Sequence, residues 1–173
     1  PNYSPWRDAH LRLVGDAVWD LQHRFFRDYF MVCEDKRDEV HIQSNLDHYF
    51  TASLVTTICP IQIVSDGPDT PTDDIKLAFV KMMQTATKSI RIQTPYFIPD
   101  QLFLETLKIA AYSGVKVEVM IPTIADHHYV YRTTTSFIHE LLEANIDVYL
   151  YKGFLHSKIL VIDDEICTVG STN

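Results

Sequence analysis

Residues 89–121 read SIRIQTPYFIPDQLFLETLKIAAYSGVKVEVMI. Ser89–Thr94 alternates polar and apolar residues at the two-residue period of a half-buried strand, and Val115–Ile121 does so again. Between them Phe103, Leu107, Ala110 and Ala111 fall on one face at a 3.6-residue period. Asp100 stands where that helix needs an N-cap, and Gly114 where it needs a residue tolerant of positive φ to close. Strand, helix and strand joined by short links predict an α/β layer fold around a mostly parallel sheet flanked by helices.

The same alternation extends in both directions. Ile61–Val64 is a short apolar run expected as a strand. Thr70-Pro71-Thr72-Asp73 has the form of a helix start, with Thr70 as cap and Pro71 in the first turn. Ile75, Phe79, Met82, Met83 and Ala86 then mark one helical face. Downstream, Phe137, Ile138, Leu141 and Leu142 mark a third helix, with Asn145 as its left-handed end. Asp147–Tyr151, Ser157–Ile162 and Ile166–Val169 are the last strands expected. Only Asp163-Asp164-Glu165 joins the final two, so they should form an antiparallel hairpin and make the sheet mixed. Towards the N-terminus, His10–Val14 reads as a strand end. Asp16–Phe30 reads as a helix with Val18, Gln22, Phe25, Phe26 and Tyr29 on one side, in a different layer. Residues 34–48 and 65–73 read as surface connections.

Fifteen Lys and Arg against 23 Asp and Glu give the 173 residues a net charge of −8, with no basic stripe, which counts against a nucleic-acid partner. The three cysteines, Cys33, Cys59 and Cys167, have neither disulfide-framework nor zinc-site spacing, and a reducing compartment fits them best. No apolar run reaches the roughly 18–20 residues that span a bilayer, and residues 1–20 carry too many charges for a signal peptide.

The chemistry concentrates in the last eighteen residues, HSKILVIDDEICTVGSTN. They read His156-x-Lys158-x4-Asp163-x6-Gly170-Ser171-x-Asn173. At average residue usage, these six identities at fixed offsets arise by chance about once in 10⁷ starts. On a strand His156 and Lys158 project to the same side. An imidazole beside an ammonium suits an anionic group such as a phosphodiester. The lysine supplies a compact charge with three donors, and its charge keeps more of the imidazole neutral and nucleophilic. Ser171 and Asn173 add neutral donors. Asp126-His127-His128 has the composition of a metal or proton-relay site, but without a third ligand at helical spacing a polar loop is the better reading.

This pattern is the HKD motif of the phospholipase D superfamily, and the chain resembles its bacterial cardiolipin synthases over nearly its whole length. The most specific blocks are Thr94-Pro95-Tyr96-Phe97-Ile98-Pro99-Asp100 and Gly153-Phe154-Leu155-His156-Ser157-Lys158. Trp6-Arg7-Asp8-x-His10 resembles the stretch after the first HKD motif of those enzymes. The resemblance implies transfer of a phosphatidyl group between two phosphatidylglycerols through a phosphohistidine, giving cardiolipin and glycerol without a metal or other cofactor. It implies His156 as nucleophile or general acid/base, Lys158 and Asn173 as phosphate contacts, and Asp163 as a supporting member of the catalytic group. Ser171 and Tyr96 are then expected on the substrate side.

The family carries two HKD motifs that meet across a pseudo-twofold axis, and this chain carries one. Residues 1–58 are therefore expected to be the tail of a preceding half-domain, and 59–173 a second half-domain cut short at its C-terminal end. The partners implied are phosphatidylglycerol in anionic membrane lipid and the missing first half-domain, with a homodimer as a substitute for that half. The parent protein is expected at the bacterial cell membrane, anchored by segments outside this chain, with this part on the cytoplasmic side. Other readings are a phospholipase or nuclease of the same superfamily, or a piece that is catalytically inert in isolation.

Overall fold

The computed structural model describes residues 5–33, 36–51, 59–68, 70–124 and 126–173. Glu34, Asp35 and Asp69, which fall in the two expected connections, lie outside them. In chain order the elements are β1 (Trp6–Arg7), α1 (Ala17–Val32), α2 (Lys36–Gln43), α3 (Leu46–Tyr49), α4 (Asp74–Thr85), β2 (Ser89–Gln93), α5 (Gln101–Tyr112) and β3 (Lys116–Pro122). They continue with α6 (His128–Ser136), α7 (Ile138–Glu143), β4 (Asp147–Tyr151), β5 (Phe154–Leu155), β6 (Ile159–Ile162) and β7 (Ile166–Val169). Two compact units result: the described residues up to Leu11 together with Thr72–Asn173, and Arg12–Pro71.

The larger unit is built on a five-stranded sheet in the order β4-β3-β2-β6-β7. β2, β3 and β4 pair in parallel, while β6 is antiparallel to both β2 and β7. Four strands thus share one direction and β6 alone opposes them. Alternation decides which face is buried. Ile90, Ile92, Val117, Val119, Ile121, Leu160 and Ile162 point into one core with Val80 and Met83 of α4, Leu104 and Leu107 of α5, and Leu141 of α7. The opposite face carries Arg91, whose guanidinium pairs with Glu118, and Tyr149, whose hydroxyl donates to the same carboxylate. A sheet with one apolar and one polar face needs helices on the apolar side, and α4, α5 and α7 supply them.

Local signals account for the element ends. The Asp100 side chain accepts from the Phe103 N–H, capping α5 as expected. Asn145 takes φ 59° and closes α7. Asp163 and Asp164, at φ 56° and 60°, form the tight turn of the hairpin, with the Glu165 N–H donating to the Ile162 carbonyl at 3.0 Å.

Several expectations are corrected. The helix after residue 70 starts at Asp74, because Thr70 folds back and donates its hydroxyl to the Gly67 carbonyl at 2.7 Å. Ile61–Val64 and His10–Val14 join no ladder, and the N-terminal strand lies instead at Trp6–Arg7. Residues 36–49, expected as connection, hold α2 and α3. Helix α6 was not expected, and β6 begins at Ile159 rather than Ser157.

The smaller unit packs around aromatic rings. Phe26 of α1 is buried, stacked 5.8 Å from Phe30 and edge-on at 5.2 Å to Tyr49. The His23 ring lies 4.4 Å from Phe50, and the Trp19 indole donates to the Thr51 carbonyl.

Candidate active site

The site lies in the larger unit, where the first described residues meet the segment leading into β6. β1 pairs in parallel with β5, Trp6 opposite Phe154 and Arg7 opposite Leu155. The Phe154 N–H donates to the Pro5 carbonyl at 3.0 Å and the His156 N–H to the Arg7 carbonyl at 2.8 Å. This register sets the next residue of each strand side by side, and His156 Nδ1 lies 3.0 Å from Asp8 Oδ2. Only a glycine at 153 allows the approach: a Cβ there would stand 2.4 Å from the Pro5 carbonyl oxygen, and the residue has φ +155°.

The surroundings of His156 are apolar on one side and charged on the other. Its ring stacks 5.8 Å from Phe154 and lies 5.6 Å from Trp6. The hydrogen bond from His156 holds the Asp8 carboxyl below its ordinary range against the cost of desolvation, helped by the Ala9 N–H at 2.9 Å and by the charges of His156 and Lys158. In the neutral imidazole, an Nδ1 proton donated to Asp8 leaves the Nε2 lone pair free.

Residues 156–158 form a link between β5 and β6, yet the alternation expected of a strand persists. Ser157 turns inward, 1% exposed, and donates to the Gln93 side chain at 3.1 Å, while His156 and Lys158 stay half-buried. Lys158 Nζ donates to the His156 carbonyl at 2.7 Å. Burial pushes the Lys158 ammonium down from its usual range, opposed by the carboxylates of Asp8 and Asp126.

The end of the motif folds back onto this segment. The Gly170 N–H donates to the Lys158 carbonyl at 3.3 Å, and the buried Thr94 hydroxyl donates to Asn173 Oδ1 at 3.4 Å. Ser171 and Asn173 are exposed. Tyr96 follows β2 and Asp126 follows β3, at the carboxyl ends of two neighbouring parallel strands, where α/β sheets bind ligands. The Tyr96 hydroxyl donates to Asp126 Oδ2. Asp126 is thus turned to Tyr96, and among the described residues no three His, Cys, Asp or Glu side chains are placed to hold a metal ion.

His156, Lys158, Tyr96 and Asn173 therefore gather at one end of the sheet, with Ser171 beside Asn173. Asp163 does not join them. It sits at the far end of β6, where its carboxylate accepts from the N–H groups of Thr87, Lys88 and Ser89 and from the Thr87 hydroxyl, each within 2.8 Å. The Ser89 N–H leads the donors that hold its pKa well below the usual carboxylate range. There it ties the hairpin turn to the start of β2, apart from the other residues expected at the site. Sequence reasoning quoted Asp8 within Trp6-Arg7-Asp8-x-His10 but gave it no role, because its partner stands 148 residues away.

With this geometry in place, the comparison with known proteins is direct. Residues 79–173 match the family described as cardiolipin synthase, PLD-like domain. The chain belongs to that family. This PLD-like domain is 48% identical over 172 residues to cardiolipin synthase 2 of Staphylococcus epidermidis, covering 99% of the chain and 34% of the relative. It is 42% identical over 174 residues to the major cardiolipin synthase of Bacillus subtilis, covering all of the chain and 35% of the relative. The chain thus spans about a third of the length of these relatives. In fold, the PLD-like domain resembles Nuc, a phospholipase D family member from Salmonella typhimurium, with a TM-score of 0.50 at 19% identity, over 60% of this chain and 67% of that one. Among the described residues no helix is long and apolar enough to cross a membrane.

Proposed function

We propose that the chain forms part of a cardiolipin synthase and carries the second of its two HKD motifs, residues 59–173 belonging to the second half-domain and 1–58 to the tail of the first. The observation that carries the reading is the contact of His156 Nδ1 with Asp8 Oδ2 at 3.0 Å, with Lys158 alongside. A carboxylate on one imidazole nitrogen, with a cation beside it, equips the other nitrogen to exchange a proton or a phosphoryl group with an anionic diester.

Two histidines share the reaction, and His156 is one of them. The nucleophilic Nε2 bonds to the phosphorus of one phosphatidylglycerol as the bond from phosphorus to the glycerol headgroup oxygen breaks. The departing glycerol oxygen takes its proton from the second histidine. A headgroup hydroxyl of another phosphatidylglycerol then attacks the phosphohistidine, giving its proton to that second histidine as the P–N bond breaks and cardiolipin leaves. Lys158 and Asn173 contact the non-bridging oxygens and stabilise the charge that builds there. Ser171 and Tyr96 lie on the substrate side, and Asp163 supports the site by fixing the hairpin.

The second histidine belongs to the first half-domain, or to a second copy of this chain placed by the same pseudo-symmetry. The partner surface is anionic lipid at the cytoplasmic side of the bacterial membrane, with anchoring segments outside this chain. The test is to incubate the full-length protein carrying this sequence with phosphatidylglycerol vesicles and identify the products by mass. Cardiolipin with released glycerol supports the proposal. Phosphatidic acid alone makes it a phospholipase, and cleavage of a nucleic acid in place of lipid makes it a nuclease.

A further inference from the structure

The polar side chains around His156 leave one buried acceptor unused. Asp126 presents one carboxylate oxygen, Oδ2, to the Tyr96 hydroxyl, while the other, Oδ1, is buried without any hydrogen-bond partner. A buried carboxylate oxygen without a donor is costly, and here the donor can be supplied by a ligand. The carboxylate follows the carboxyl end of β3, against the Tyr96 that follows β2, so the ends of these two strands form one mouth in our reading. Gln93 of β2 pairs opposite Ile159, the residue after Lys158, so this mouth adjoins the phosphate-binding lysine. Asp126 and Lys158 lie within electrostatic reach of each other.

The charge of the free oxygen limits its occupant. A carboxylate beside the phosphoryl site repels phosphate oxygens and accepts from hydroxyl or cationic donors, of which the headgroup of phosphatidylglycerol offers hydroxyls alone. In the transfer proposed above, the acceptor is the glycerol headgroup of a lipid, which has two adjacent hydroxyls. One attacks phosphorus, and the other needs an acceptor a short distance away. We propose that Asp126, oriented by Tyr96, accepts a hydrogen bond from the non-reacting hydroxyl of the acceptor and so selects vicinal diols over simple alcohols. The inference rests on the cardiolipin synthase reading and assigns within it a specificity-determining residue. Asp126 takes no proton from the reacting hydroxyl.

The experiment uses the full-length synthase with phosphatidylglycerol as donor and four soluble acceptors: glycerol, 1,2-propanediol, 1,3-propanediol and 1-propanol. The readout is the ratio of vicinal-diol to simple-alcohol transfer products in competition. A hydrogen bond to a charged group predicts a preference of about 10-fold or more for the vicinal diols in the wild type. In Asp126→Asn the remaining oxygen stays with Tyr96 and the amide cannot accept, so the ratio should fall to near one. Tyr96→Phe, which frees the carboxylate to turn, should lower it roughly threefold, and this variant decides the matter if Asp126→Asn fails to fold. A wild type without vicinal-diol preference, or variants that keep the wild-type ratio, would overturn the assignment. A wild type that transfers to no alcohol at all would instead sink the synthase reading beneath it.

Discussion

Asp8 offers the sharpest perturbation, because its two oxygens have different duties. Oδ2 meets His156 Nδ1 at 3.0 Å and Oδ1 accepts from the Ala9 N–H at 2.9 Å. Asp8→Ala removes both contacts. The lost bond is charge-assisted, but both side chains are about a third exposed, so the low end of its usual worth applies. That is a fall of about 10-fold in kcat/KM for cardiolipin formation. Asp8→Asn should do worse. Its single oxygen is claimed by the Ala9 N–H, which turns the amide NH2 towards Nδ1 and drives the imidazole proton onto Nε2. The nitrogen that does the chemistry is then blocked, and a loss of roughly 10²-fold is expected, in the range of an acid–base contribution. The assay is initial-rate transfer from phosphatidylglycerol in mixed micelles by the full-length enzyme, with thermal melts to show that the variants fold. An Asn variant within threefold of wild type, or clearly more active than the Ala variant, would refute the tautomer argument.

Two further outcomes follow from the contacts around the site. Gly153→Ala puts a Cβ against the Pro5 carbonyl and imposes a strained φ, so it should cost about 1–3 kcal/mol in thermal or denaturant unfolding. It should also lower activity, since the β1–β5 pairing that brings Asp8 to His156 must open. Asp163→Asn should destabilise the fold at neutral pH. The native carboxyl has a depressed pKa, so its contribution is present above the unfolded carboxylate range near 4 and is lost as pH falls through the lower native value. The gap in melting temperature between wild type and variant should therefore begin to narrow as pH falls below about 4, and a gap that stays constant into acid would contradict the role given to this carboxylate.

Much of the fold was legible because its signals are local. The cap at Asp100, the left-handed end at Asn145 and the alternation of Ser89–Gln93 each depend on residues a few positions apart, and each lies where expected. The errors come from elements with weak local signals. α2 has no buried residue and hence no apolar period to detect, although the Tyr29 hydroxyl reaches its Asp38. Ile61–Val64 has the composition of a strand but pairs with no strand among the described residues, and pairing is a tertiary fact. The site divides in the same way. His156, Lys158 and Asn173 are fixed by spacing within eighteen residues. Asp8 acquires its place only from the register of a two-residue ladder, and Asp126 only from the meeting of two loops beyond β2 and β3. Asp163 shows the converse. Its spacing marks it as part of the motif and the hairpin link gives its turn, but only the three backbone N–H groups around it reveal that it ties that turn to β2.

The role proposed for His156 in phosphatidyl transfer is open to a comparison of two proteins. Full-length enzyme, wild type and His156→Ala, is given phosphatidylglycerol, and cardiolipin and glycerol are quantified over time. The role proposed for His156 predicts that the variant, folded by its melting curve, forms no cardiolipin above background. Cardiolipin formed equally well by both proteins would contradict it.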